Sequence, residues 1–98
     1  MTVPAYWVAH VSVSDPEGYA AYRAAAAGPI AAGGGRILAL GGAQEVVAGA
    51  IRPHTVIVAF PSLAAAHACY FGEGYQATLA RRDAAAQVDL AIVTGLPG

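Results

Sequence analysis

Residues Val56 to Arg82 read VIVAFPSLAAAHACYFGEGYQATLARR. A β-branched run ends at Phe60-Pro61, and Ser62 then offers a side-chain oxygen to cap a helix. The alanine-rich helix that follows carries Leu63, Ala66 and Tyr70 as an apolar stripe at helical spacing. Gly72-Glu73-Gly74 interrupts it, and at least one of Gly72 and Gly74 is expected at positive φ, ending one helix and starting another. The resumed helix puts Tyr75, Thr78 and Arg82 on one side. A strand leading into a broken helix therefore sets the second half of the fold.

Working outward, Ala5 to Val13 alternates as a strand, with Trp7, Ala9, Val11 and Val13 on one face and Tyr6, Val8, His10 and Ser12 on the other. Asp15-Pro16-Glu17 is a helix start: a capping carboxylate, a proline at the first helical position and an acid in the first turn. Tyr19 and Tyr22 share a face of that helix with Ala26. Gly28-Pro29 predicts a kink or local break, because proline removes a donor and clashes with the preceding turn. Ile30 to Ala32 adds a last turn before Gly33-Gly34-Gly35. Arg36 to Leu40 is the second strand, Gly41-Gly42 fits a bend or bulge, and Glu45 to Ala48 extends the strand. Thr55 to Phe60 and Val88 to Thr94 are the remaining strands.

The order is β-α-β-β-α-β, a ferredoxin-like α+β arrangement with an antiparallel four-stranded sheet and both helices on one face. The other face, with Tyr6, Val8 and His10, is too apolar to leave in water. Packing it against a two-fold copy closes a barrel across a homodimer, a dimeric α+β barrel.

The chain has 98 residues, read as one domain over 1–98. A chain this short buries only about 60–70% of its unfolded surface, and its many alanines bury little each, which favours association. Its basic residues are five arginines against six acids, with a net charge of −1. That balance argues against nucleic acid, which wants a clustered basic face; Arg81-Arg82 is too small a patch. The single cysteine, Cys69, excludes an internal disulfide and reads as a small core residue. No basic, then apolar leader is visible, and no apolar run reaches the ~18 residues that span a bilayer. The expectation is a soluble cytoplasmic protein with no membrane partner, and the arginine, alanine and glycine bias suggests a bacterial genome rich in GC.

Taken together, Ala5-Tyr6-Trp7, Asp15-Pro16-Glu17 with Tyr19 and Tyr22, Gly34-Gly35-Arg36, Gly41-Gly42, Glu45-Val46-Val47 with Gly49, Arg52-Pro53, Phe60-Pro61-Ser62, Ala66, Tyr70, Tyr75-Gln76 and Arg82 resemble the DUF1330 family of small dimeric α+β barrel proteins. Their order and spacing over residues 5 to 95 carry the resemblance. The chain departs from the pattern at Leu40, where arginine is usual, and at Ile51, where an aromatic is usual. The resemblance implies a fold and a dimer; it names no chemistry. Similar barrels host cofactor-independent monooxygenases, isomerases and cyclases acting on small acidic or aromatic molecules. Function does not follow from fold, and a non-catalytic dimerisation or ligand-sensing module is the rival expectation.

Among candidate site residues, His10 faces the expected barrel interior and can serve as a general acid or base, or be satisfied by Ser12, a backbone carbonyl or water. Tyr19, Tyr22, Tyr70 and Tyr75 offer rings and hydroxyls to a small ligand, or fill a core that alanine leaves short of volume. Arg82 can bind a carboxylate or pair with Asp83, Asp89 or an acid of a partner chain. If His10 is the base, Tyr75 and Arg82 are expected at the same cavity, within the chain or across the dimer. His54 reads as exposed and His67 as a rim residue. No histidine pair has metal-ligand spacing, and the glycine runs lack a dinucleotide-binding context, so no metal or cofactor is expected.

Overall fold

A computed structural model describes residues 3–98. Strand β1 (Ala5–Val13) occupies the middle of the fold because both of its edges are paired. It runs antiparallel to β3 (His54–Phe60) on one side and to β4 (Ala86–Thr94) on the other. Strand β2 (Arg36–Leu40) extends the sheet beyond β3, giving the order β2-β3-β1-β4. All these pairings are antiparallel. The alternation read from β1 is the alternation observed: Ala5, Trp7, Ala9 and Val11 are buried, and Tyr6, Val8 and His10 are only half-buried on the opposite face.

Helix α1 (Pro16–Ala32) starts as its sequence dictates, with Asp15 accepting a hydrogen bond from Gly18 N at 3.1 Å and Pro16 opening the first turn. It runs on through Pro29, so of the expected kink or local break the break does not occur. The proline lies within one turn of the helix end, so the only carbonyl deprived of a donor is that of exposed Ala25, which water can satisfy. Gly34, at φ +88°, ends the helix, and the amides of Gly33, Gly34 and Gly35 return to the carbonyls of Pro29, Ala31 and Ile30.

The second helical region is three pieces: α2 (Leu63–Phe71), α3 (Glu73–Gln76) and α4 (Leu79–Ala85). Ser62 caps α2 by accepting from Ala65 N at 3.0 Å. The break at Gly72 is real, but its mechanism differs from the expected one: Gly72 is extended, with φ −73° and ψ 155°, and neither it nor Gly74 has positive φ. Glycine is needed there for space, since a Cβ would stand 2.9 Å from the Ala68 carbonyl oxygen. The buried stripe of α2 is Ala66 and Cys69 with Tyr70 beside them, whereas Leu63 faces outward. Burial pushes the Cys69 thiol up, as befits a packed side chain.

Strand β2 contains a bulge between Ile37 and Ala39, so Ile37 opposes Val58 and Leu40 opposes Val56. Residues three apart normally point to opposite faces of a strand; the extra residue puts Ile37 and Leu40 on the same one. The bulge thus precedes Gly41-Gly42, where the chain bends with Gly41 at φ +69°. Glu45 to Ala48 does not extend β2. That segment is a surface loop, with Val47 84% exposed, tied back by Gln44 donating to the Arg52 carbonyl.

The helices lie on one face of the sheet, and Trp7 anchors them there. Its indole N–H donates to the Ala66 carbonyl at 3.0 Å, and its ring packs on Phe60, Tyr70 and Tyr75. Helix α1 packs against α4 and α3. No helix among the described residues is long and apolar enough to cross a membrane.

Candidate functional site

Between α1 and the sheet lies a cleft of about 390 Å³. Its origin is compositional. Helix α1 presents Ala20, Ala24, Ala26 and Ala27 toward it, and the floor has Ala9 between Trp7 and Val11, so small side chains leave the volume unfilled. The walls are otherwise aliphatic, from β3, β4 and the two residues of β2 that the bulge brings inward. A volume of this order suits a small organic molecule. A second concavity of about 300 Å³ shares Tyr19, Arg23, Leu40 and Val56 with the first and reaches His54.

One end of the cleft is polar. Tyr22 Oη and Tyr75 Oη are 2.6 Å apart, and Arg82 Nη1 lies 3.4 Å from Tyr75 Oη and 3.2 Å from Tyr70 Oη. Arg82 Nε donates to Asp83 Oδ1 at 3.0 Å. Each piece of the broken helix contributes: α2 supplies Tyr70, α3 supplies Tyr75 and α4 supplies Arg82. Thr78, in the link between α3 and α4, donates its hydroxyl to the Tyr75 carbonyl and fixes that turn. A regular helix through this region would give one face a residue only every three or four positions; breaking it aims three side chains at one point.

Burial shapes the ionisation of this cluster. It pushes the Tyr22 hydroxyl far above the ordinary tyrosine range, and the adjacent Tyr75 hydroxyl, through space and through their hydrogen bond, pushes it further. Burial raises Tyr19 as well, offset in part by the charge of Arg23. For Arg82, burial opposes the charge, but the bonds to Tyr70, Asp83 and Tyr75 outweigh it and hold the guanidinium ionised. At neutral pH the polar end therefore keeps the Tyr22 hydroxyl protonated beside a fixed positive charge.

A family model described as a domain of unknown function, DUF1330, matches residues 4–96. The chain belongs to the DUF1330 family. Among solved structures it is similar to RPA0582, a protein of unknown function from Rhodopseudomonas palustris, with 22% identity and a TM-score of 0.75 over 98% of this chain and 85% of that one. A methylated form of RPA0582 gives 21% identity and a TM-score of 0.76 over 99% and 84% of the two chains. SnoaB, a cofactor-independent oxygenase from Streptomyces nogalater, gives 14% identity and a TM-score of 0.70 over 98% and 96%. At these identities the likeness is one of fold, that of the dimeric α+β barrels. None of the curated proteins matches this chain.

Of the residues singled out in the DUF1330 sequence, Tyr19, Tyr22, Tyr75 and Arg82 line the cleft together. Tyr70 stands behind them, holding Arg82. His10 does not join them within the chain. Its side chain is on the other face of β1, where Nδ1 meets Thr55 Oγ1 at 3.1 Å. Of the alternatives for Arg82, the acid it meets is Asp83; Asp89 pairs instead with Arg52, at 2.8 Å. His54 and His67 are exposed.

Arg23, Trp7 and Leu40 also line the cleft, and sequence reading missed them as site residues. Arg23 was findable, because it follows Tyr19 by four positions and shares its helix face. Leu40 reaches the site only through the bulge, which the sequence does not advertise. Its place in the wall means that the departure from the family pattern there puts an aliphatic side chain where a positive charge is usual.

Proposed function

We propose that this DUF1330 protein binds a small, largely apolar organic molecule in the cleft between α1 and the sheet, and that it does so as a homodimer closed through the outer sheet face. The observation that carries the reading is the combination of a preformed volume of about 390 Å³ with one polar end built by Tyr22, Tyr75 and Arg82. Aliphatic and indole walls take up the body of a ligand, and a few convergent donors orient it.

Within this reading, catalysis is of the cofactor-independent kind. Hydroxyl donors backed by a guanidinium stabilise negative charge developing on a substrate oxygen. The fold likeness to SnoaB is in keeping with that chemistry. The second reading, a ligand-sensing or dimerisation module without turnover, is favoured by one specific observation. The ionisable residues lining the main cleft are tyrosines and arginines, with no imidazole or carboxylate among them, and His10 lies across the sheet. Enzymatic turnover with His10 as general acid or base would then use the outer sheet face, completed by the partner copy.

The test is occupancy of the cleft. The Trp7 indole lines it, so NMR shifts of that N–H, followed through a library of small aromatic molecules, report binding directly. Ala20→Phe, an exposed change at the cleft wall, is expected to keep the fold and abolish binding. Hits that bind the variant unchanged would place the ligand elsewhere. Turnover of a hit separates the enzyme from the module.

A further inference from the structure

The hydrogen bonds at the polar end of the cleft have a direction, and it fixes what the ligand must present. Arginine has donors only, so Tyr75 Oη accepts from Arg82 Nη1. The Tyr75 ring is 1% exposed, and among the described residues the only other partner of its hydroxyl is Tyr22 Oη at 2.6 Å. A buried hydroxyl hydrogen needs an acceptor, so Tyr75 donates to Tyr22. Of the two, Tyr75 is the more enclosed, 1% exposed against 9% for Tyr22, so the hydrogen left to face the cleft is the one on Tyr22. Tyr22 is left with a hydrogen of its own and no protein acceptor among the described residues, and Tyr22 lines the cleft. The relay runs from Arg82 through Tyr75 to Tyr22 and ends as a donor polarised by a positive charge.

The charges agree with the direction. Arg23 and Arg82 line the cleft, and no acidic residue among those described does so. The carboxylate that balances Arg82 belongs to Asp83, whose side chain is 62% exposed. Burial keeps Tyr22 protonated, so the donor persists across the physiological range.

We infer that Tyr22 is the specificity-determining contact of the cleft, and that the ligand it selects carries an anionic oxygen, a carboxylate or phenolate, on an apolar body. An alcohol can also accept from Tyr22, but it gains no more than a neutral bond; an ammonium meets a donor and two guanidinium groups. This inference rests on the cleft being the binding site, and the experiment separates the two claims.

Calorimetric titration at neutral pH compares naphthoate, naphthylmethanol and naphthylmethylammonium, with nitrophenolate as the phenolate arm. The expected order puts naphthoate ahead of the alcohol by about tenfold or more, the scale of one charge-assisted hydrogen bond, and leaves the ammonium without measurable binding. Tyr22→Phe is expected to remove the preference for naphthoate while the alcohol still binds. Tyr75→Phe, which interrupts the relay but leaves Tyr22 and Arg82 in place, should give an intermediate preference. Nitrophenolate binding as well as naphthoate would show that the oxygen charge matters more than its geometry; its failure would narrow the class to carboxylates. Equal binding of alcohol and naphthoate, or a preference surviving Tyr22→Phe, overturns the inference while leaving the cleft as the site. Binding by none of the four overturns both.

Discussion

His10 Nδ1 and Thr55 Oγ1 stand 3.1 Å apart between paired positions of β1 and β3, on the sheet face away from the cleft. The neighbours of this pair settle who donates. Gln44 Nε2 donates to the Arg52 carbonyl, so its oxygen is the atom facing Thr55 and takes the single Thr55 hydroxyl hydrogen. Thr55 then has only lone pairs for His10, and Nδ1 must carry the proton. NMR of the imidazole nitrogens is expected to show the neutral ring as the Nδ1–H tautomer, with Thr55→Val shifting the population toward Nε2–H. A wild-type ring already in the Nε2–H form would contradict the network. The assignment leaves Nε2 as a free acceptor on the outer face, which is where a partner chain or a substrate would have to supply a donor.

That outer face is the expected dimer interface. Val8 is flanked by Ile57 and Ala91, and Tyr6 by Ala59 and Val93, so four paired positions present apolar side chains around the β1 centre. Val93 is 46% exposed in the isolated chain. Val8→Asp would bury an unpaired carboxylate at a two-fold contact, at a cost on the order of several kcal/mol. Sedimentation is expected to show a dimer for the parent chain and monomer or aggregate for the variant. An equally stable dimer carrying the aspartate would exclude this face as the interface.

What could be read from the sequence was what depends on neighbours along the chain. The alternation of β1, the Asp15-Pro16 and Ser62 starts and the stop after Ala32 are local signals, and each sits where expected. The cleft was legible only in part, because Tyr75 and Arg82 converge through a helix break whose turn angles no spacing rule gives. Pro29 does not break α1 because its effect depends on distance from the helix end and on water reaching Ala25. The β2 bulge and the placement of Leu40 are properties of register with β3. His10 was correctly placed opposite Trp7; that the cleft opens on the Trp7 side follows from where alanine-rich α1 packs.

Two glycines make different predictions. Gly28 is an exposed position inside α1 where an added Cβ meets nothing within 4 Å outside its chain neighbours and the helix's own backbone. Pro29 follows it and disfavours helical backbone for a residue that carries a Cβ, so the helix-propensity gain of about 0.5–1 kcal/mol is offset in part. Gly28→Ala should be neutral to mildly stabilising. Gly72→Ala keeps an allowed φ but drives a Cβ to 2.9 Å from the Ala68 carbonyl oxygen, a backbone atom that cannot swing aside. It should destabilise by about 1 kcal/mol or more, as overpacking does. Urea unfolding of both variants checks the pair. A stabilising Gly72→Ala would mean that the break is free to move, and with it the placement of Tyr75.

Alkaline unfolding tests the state of Tyr22. Its folded value is raised above the ordinary 10.0, first by burial and then by Tyr75. The protonated hydroxyl is thus favoured by the fold, and the stability it supplies is complete below 10.0. Above that point the unfolded chain releases the proton while the folded chain holds it, so stability falls as pH rises, by at most about 1.4 kcal/mol per pH unit for one such group. Tyr22→Phe removes this slope but strands the Tyr75 hydrogen, which costs about 1–3 kcal/mol at neutral pH. Tyr19, raised in the same direction, contributes to both chains and cancels in the comparison. The stability gap between parent and variant is therefore expected to be widest at neutral pH and to narrow above 10.0. Denaturant titrations across that range measure it. A gap that stays constant would mean that Tyr22 ionises as easily in the folded protein as in the unfolded chain, and that it does not end the relay as a protected donor.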